Sequence, residues 1–466
     1  MKKNIRSRWF NNSVANLLGG GVSAIVGIVI PALIGKAMDG VEFSMWNLAM
    51  QVIAYVNLLS LGIQSAGARA IAHSAESAEA GLDNRLSEIH RSTQSLSRYL
   101  AFAALFIAIF FIIFYPYFFR AVPEALCISF RLVLFFFSLS AVFQILSQPY
   151  MAIFQGLHKN YLFVFGQSVS KLISVILIWI GVKEGLHLPF LAALFSLGGF
   201  SLWPLMIFIF RRNILWSTKI KRTNVSSVIR SDLLKYCGTL SVWSISTLLV
   251  NSIGIFVVGI VDFHKTGAYA VAMTASTIVI GVIGAVLSPM MTTAAALYAN
   301  SSTRSQLPNL LRKLTGRTAL AISGLVCLWL LFCKPLMILW LGPKLGQEAY
   351  PLALILVPVY CYRNIMSPYA LMLMATGLHK RAMLSAIFEA IANIFVSIFF
   401  GIYWGVIGVA IGAGVGAILG IGLGLLMNLR STKELTPDPL RFMMRSMLLP
   451  IFITAPVQLL IVWKFL

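Results

Sequence analysis

Three ionisable residues stand deep inside long apolar stretches of this chain: Lys171, Arg363 and Glu389. A charge at the bilayer midplane costs about 2.5–3.5 kcal/mol on insertion scales, so such residues are expected to face one another or a wet interior rather than lipid. Polar neighbours keep helical spacing with them. Ser385, Glu389, Asn393 and Ser397 recur at every fourth position, and Gln167, Lys171 and Ser174 follow at intervals of four and three, so each set forms one stripe on a helix. Asn47, Gln51 and Tyr55 make a third stripe, and Ser244, Thr247 and Asn251 a fourth. The chemistry such groups offer is charge pairing and hydrogen bonding. Two cations against one anion leave a net positive interior, which suits an anionic ligand, phosphate foremost. Two structural roles compete with that reading. Ser, Thr and Asn also tie helices together, and Arg363 with Glu389, on consecutive helices of one half of the chain, can form an ion pair. Lys171 has no acid deep in its own half, so it pairs with Glu389 from the other half or stands ready for an anionic ligand.

The elements that position these residues follow from composition. The chain has 466 residues, 59% hydrophobic and 11% charged, with a mean hydropathy of +0.88. A soluble surface cannot be built from that mixture, and a polytopic membrane protein can. Apolar runs of about 20 residues mark transmembrane helices rather than the alternating strands of a barrel. Twelve such runs fall near residues 13–34, 43–66, 99–119, 128–152, 161–182, 188–210, 238–261, 268–291, 317–339, 350–374, 382–403 and 405–428. A further stretch at 448–463, carrying Pro450 and Pro456, is a marginal thirteenth. The expected fold is all-α. The connection from Ala70 to Arg98 reads as a solvated helical segment. The basic amino terminus, with Lys2, Lys3, Arg6 and Arg8, precedes a run with no small-residue cleavage site, which reads as a first transmembrane helix and not a removable signal.

The net charge of +22 is explained by its distribution. With the amino terminus in the cytoplasm, the inner connections hold 26 Lys and Arg and the outer ones 8, the bias expected of a multi-pass protein in the cytoplasmic membrane. Anionic lipids, and not nucleic acid, are then the partners of that charge. Trp46, Trp179, Trp340 and Trp404 fall at the outer ends, where an aromatic belt belongs. The five cysteines lie in or beside apolar segments with no Cys-x-x-Cys pair, so they read as small apolar residues without a metal or redox role.

An internal repeat organises the helices. Pro149-Tyr150 and Gly156-Leu157-His158-Lys159 return as Pro368-Tyr369 and Gly377-Leu378-His379-Lys380, and Pro116 returns as Pro335, at offsets of 219 to 221 residues. Two parallel six-helix lobes are expected, 1–210 and 236–430, joined by a basic cytoplasmic linker at 211–235 and followed by a tail at 431–466. Parallel repeats of this kind enclose a central cavity at the bilayer midplane.

The helix count, the parallel repeats, the basic inner face and the run from Pro149-Tyr150 through Gln155-Gly156-Leu157-His158-Lys159 resemble the polysaccharide-transporter family. More narrowly, the chain is similar to Wzx-type O-antigen flippases of the multidrug, oligosaccharidyl-lipid and polysaccharide exporter superfamily. Leu61-Gly62-Ile63 leading to Ala68-Arg69 is similar to a stretch these proteins often carry. The resemblance covers residues 1 to about 430. It implies translocation of an undecaprenyl-diphosphate-linked oligosaccharide to the outer leaflet by alternating access, for surface polysaccharide synthesis, with no cofactor beyond a coupling proton or sodium ion. Polysaccharide polymerase and chain-length proteins are the implied partners. Lys171 and Arg363 would attract the diphosphate or acidic sugars, Asn47, Gln51, Asn251 and Asn393 would bond sugar hydroxyls, and Glu389 would mask a cation or bind the coupling ion.

An ion-coupled drug or metabolite antiporter of the same superfamily is the second reading. It would share the helices, but such proteins often carry a buried acid in the first lobe, and the first six spans here contain none. A multispan glycan polymerase or ligase is the third. The outer connections are short, and His187 and His264 lie apart without carboxylate pairs, which argues against an enzyme.

Overall fold

The structure, a computed structural model, describes residues 2–57, 62–76, 82–119, 122–157, 159–214, 227–299, 302–376, 378 and 383–465. Among them the regular elements are all helical. With no water to satisfy backbone groups in hydrocarbon, long apolar runs must close their hydrogen bonds internally, and helices do so.

The chain divides into two compact units, Met1–Ile245 and Ser246–Leu466. The first holds α1 (Lys2–Ala37), α2 (Gly40–Asn57), α3 (Ile63–Glu76), α4 (Leu82–Phe118), α5 (Cys127–Gly156), α6 (Asn160–Lys183), α7 (Leu188–Asn213) and the start of α8 (Ser227–Val261). The second holds the rest of α8, α9 (Thr266–Ala299), α10 (Leu307–Leu341), α11 (Pro343–Arg363), α12 (Ser367–Thr376), α13 (Met383–Ser431), α14 (Pro439–Phe442), a π-helical turn at Met443–Leu448 and α15 (Leu449–Phe465). The division falls inside α8 rather than in the basic segment at 211–235, of which residues 215–226 lie outside the described ones.

Ten segments among the described residues are long and apolar enough to cross a membrane. Ser385–Gly420 takes in most of both the eleventh and twelfth expected spans, and Pro439–Ile461 most of the marginal thirteenth. The second expected span corresponds to α2 and the seventh to the apolar stretch Leu248–Val261.

One local feature departs from the sequence reading. The connection at 70–98, over its described residues 70–76 and 82–98, is helical and buries one face rather than being solvated. Ile71, Leu86 and Ile89 join Tyr150, Phe154, Met206 and Phe210 in a buried apolar cluster, and Ser97 Oγ donates to the Ile145 carbonyl at 2.7 Å. As the separate eleventh and twelfth runs predict, α13 is a hairpin of two helices rather than one rod. Gly405 has φ 60° and ψ −147°, a conformation that disfavours any residue with a Cβ, and the two halves fold back on each other there.

The hairpin is closed by glycine. A Cβ on Gly412 would meet Ser397 Cα at 2.7 Å, one on Gly416 would meet Asn393 Cα at 2.7 Å, and one on Gly420 would run into the Glu389 side chain. Four-residue spacing on both arms of the hairpin thus lets the backbones approach closely, as small residues do between membrane helices.

The repeat landmarks occupy matching kinds of position. Pro116 and Pro335 are internal to α4 and α10. Pro149 is inside α5, whereas Pro368 follows a 3-10 turn, Asn364–Met366, that separates α11 from α12. A proline cannot give its N–H to the preceding turn, and in the second unit the helix breaks there, directly after Arg363. Of the repeated tetrapeptides, His158, Gly377, His379 and Lys380 lie outside the described residues, as does Leu61 of the stretch beside α3.

Candidate functional site

In the first unit Lys171 projects from α6 toward α1. Its Nζ donates to Ser23 Oγ at 2.6 Å, and Ser23 Oγ in turn donates to the Gly19 carbonyl at 2.8 Å. A cavity of about 200 Å³ opens beside this contact, lined by Gly19, Gly20, Ser23, Gln167, Ser168 and Lys171 with Phe163 and Val164. Glycines at 19 and 20 keep the α1 wall thin; at Gly20 a Cβ would meet nothing within 4 Å. Among the described residues no carboxylate pairs with Lys171. An ammonium held by one neutral hydroxyl in a partly open, polar recess retains donors for an anion.

Ser174, the third member of the same stripe, is turned away: its hydroxyl donates to the Phe195 carbonyl of α7 at 2.9 Å. Ser170 does likewise to Gly198 at 2.5 Å. The stripe on α6 is therefore divided, with Gln167 and Lys171 on the cavity and the serines fastening α7.

In the second unit three of the expected residues meet. Arg363, in the last turn of α11, donates through Nε to the Glu389 carboxylate on α13 and through Nη1 to Asn251 Oδ1 on α8 at 3.0 Å. The Arg363 and Glu389 side chains are 17% and 15% exposed. Tyr360, one turn earlier on α11, donates its hydroxyl to the Val250 carbonyl at 2.9 Å, which fixes α11 against α8 beside Asn251. Glu389 is thus engaged by Arg363, the ion pair the sequence allows within one half of the chain, and in the first unit Lys171 has Ser23 as its partner. The side chains of Ser244 and Thr247, which share the Asn251 stripe, lie outside the described residues.

Asn393 is the clearest correction. Expected to face a wet interior, it is 1% exposed. Its amide donates to the Ala413 carbonyl at 3.4 Å, and it accepts from Ser397 at 3.4 Å, inside the α13 hairpin. Ser385 follows the same pattern, accepting from Asn428 at 2.6 Å. Helix-to-helix fastening accounts for this stripe, apart from the Glu389 carboxylate.

On α2, Asn47 returns its amide to the Phe43 carbonyl at 2.8 Å within the same helix, while Gln51 keeps a buried Oε1 with no hydrogen-bond partner among the described residues. The α2 helix packs chiefly on α5, and α6 packs on α1 and α7. Asn47 and Gln51 therefore belong to a different interface from Lys171. Ser23 and Tyr360 were missed by sequence reading, because a lone serine among glycines and a tyrosine in an apolar run carry no spacing signal.

No family model matches the chain, and no curated protein matches it. Solved structures do. A chain described as lipid II flippase MurJ in an inward closed conformation superposes with a TM-score of 0.69 at 16% identity, covering 97% of this chain and 98% of that one. An inward-facing multidrug resistance MATE family transporter of the MOP superfamily gives 0.64 at 18% identity, covering 89% and 99%. A point mutant of the Vibrio cholerae MATE transporter VcmN gives 0.55 at 14% identity, covering 93% and 99%. Likeness at this identity establishes the fold, which is the one shared by these transporters.

Proposed function

We propose that this protein is a flippase that moves an undecaprenyl-diphosphate-linked oligosaccharide across the cytoplasmic membrane by alternating access, supplying surface polysaccharide synthesis. The observation that carries the reading is Lys171, a cation within a membrane helix whose recorded partner is a neutral hydroxyl and which lines a polar recess. A diphosphate has the acceptor oxygens to bond that ammonium and adds the attraction of opposite charges, which a neutral hydroxyl lacks. The fold shared with a protein described as a lipid II flippase supports a lipid-linked substrate.

In this reading Lys171, with Gln167 and Ser168 beside it, receives the diphosphate, and Asn47 and Gln51 bond sugar hydroxyls. Arg363 and Asn251 are already bonded to each other and join only when Glu389 lets go of the guanidinium. A proton or sodium ion taken up by Glu389 would release Arg363 and so couple ion entry to transport. Asn393, engaged within the hairpin, takes no part.

The test is complementation of a flippase-deficient host. Wild type restores surface glycan, Lys171→Gln inserts normally but does not, and Lys171→Arg restores part. Full restoration by Lys171→Gln rejects the assignment.

The second reading, an ion-coupled drug or metabolite antiporter, is favoured by the fold shared with the multidrug MATE transporter. Drug resistance gained on expression, with surface glycan unaffected by deletion, would select it.

A further inference from the structure

A second cavity, of about 380 Å³, lies in the first unit where the ends of α1 and α6 meet the starts of α2 and α7. Its walls include Leu33, Leu186 and Leu188, and its ionisable members are Lys36, Glu42 and His187. By the charge distribution of the chain this is the outer end of the unit, at the level of lipid headgroups, and none of these residues takes part in the Lys171 site.

Both signs of charge line the recess without cancelling. Among the described residues Lys36 and Glu42 form no ion pair with each other or with a third residue. His187 stands at the start of α7 but makes no side-chain capping bond there. Asp39 is tied up as the cap of α2, its carboxylate accepting from Glu42 N–H at 2.7 Å, and Glu42 reciprocates toward the Asp39 N–H. That is a capping box, and it uses only part of the acceptor capacity of the Glu42 carboxylate. A ligand with a single sign of charge would leave one of Lys36 and Glu42 facing its own kind in a partly desolvated recess, which is costly. A ligand with both signs matches each.

We propose that this cavity binds a zwitterionic phosphoethanolamine-type group, its phosphate on Lys36 and His187 and its ammonium on Glu42. The leucines supply an apolar wall suited to the glycerol and acyl ends of an ethanolamine phospholipid, and the same headgroup chemistry exists in soluble phosphoethanolamine. The volume is within the range of small-molecule sites.

Purified full-length protein, in detergent free of phosphatidylethanolamine, is titrated calorimetrically with phosphoethanolamine, ethanolamine and inorganic phosphate, and a parallel sample is exchanged into nanodiscs of phosphatidylethanolamine or phosphatidylglycerol with bound lipid measured after delipidation. Phosphoethanolamine, or the ethanolamine lipid in the nanodisc arm, binds the wild type, and Lys36→Gln and Glu42→Gln each weaken it by about tenfold or more, the scale of one charge-assisted bond. Glutamine keeps the capping box, so Glu42→Gln removes charge without removing the cap, and Lys36 is exposed, so its replacement leaves the fold in place. Binding in the nanodisc arm alone assigns the headgroup to a lipid, and binding in both assigns it to either source. Equal binding of inorganic phosphate or ethanolamine, unchanged binding in both variants, or no binding in either arm overturns the proposal. Lys171→Gln should bind as wild type does while failing in transport, which separates this site from the proposed function.

Discussion

The ammonium of Lys171 is held by the hydroxyl of Ser23, 148 residues earlier in the chain, at 2.6 Å. This bond joins α6 to α1 at the edge of the polar recess and uses one of the three ammonium donors, so in the proposed reading Ser23 competes with a substrate anion for the lysine. Ser23→Ala removes the competitor and leaves the lysine in place. Affinity for a diphosphate-bearing lipid should then rise or hold, by up to about tenfold for the loss of one competing hydrogen bond, whereas Lys171→Gln should lose it. Binding of a fluorescent undecaprenyl-diphosphate glycan to the purified variants checks both.

Breaking the ion pair of the second unit should be costly. Removing one partner of a buried pair leaves an uncompensated charge, at about 3–5 kcal/mol, and the residual exposure of Arg363 and Glu389 puts Glu389→Ala near ~3 kcal/mol, the lower end of that span. Replacing both, as Arg363→Met with Glu389→Leu, should recover most of the loss. Thermal unfolding in detergent measures the difference, and equal Tm values for single and double variants would contradict it.

Glycine at 416 is required by geometry. A Cβ there meets the Asn393 backbone rather than a movable side-chain tip, so Gly416→Ala must open the α13 hairpin, at about 1–3 kcal/mol for overpacking. Gly422, with open space around it, serves as the control, and Gly422→Ala should change Tm little.

Glu42 should make the first unit sensitive to pH. Burial, and then the neighbouring Asp39 charge, push its carboxyl above the ordinary carboxylate range, opposed by its bond to the Asp39 N–H and by the nearby His187. A folded-state pKa above the unfolded value means that the folded protein binds the proton more tightly, and this contribution is lost as pH rises through the folded pKa. Glu42→Gln has no such proton to lose. Its Tm should match wild type in acid, below the ordinary carboxylate pKa, and exceed it at neutral pH. The opposite order would mean that the ionised carboxylate is stabilising.

Much of the fold was legible because hydrophobic run length dictates membrane helices, and the break expected at 403–405 coincides with Gly405. What hydropathy could not show was that 86–97 buries a face. For the site, spacing and charge picked out Lys171, Arg363, Glu389 and Asn251, and the last three converge. Spacing also picked out Asn393, but a stripe looks the same whether it faces water or a glycine ridge. The partner of a stripe is a tertiary fact. Ser23 was invisible for the same reason, since its role exists only through α6.

The most direct measurement is the rate at which purified protein in proteoliposomes carries a fluorescent undecaprenyl-diphosphate-linked oligosaccharide between leaflets, comparing wild type with Lys171→Gln at matched reconstitution. Loss of one charge-assisted contact predicts a fall of roughly tenfold to a hundredfold, with partial recovery in Lys171→Arg. Undiminished transport by Lys171→Gln would contradict the account.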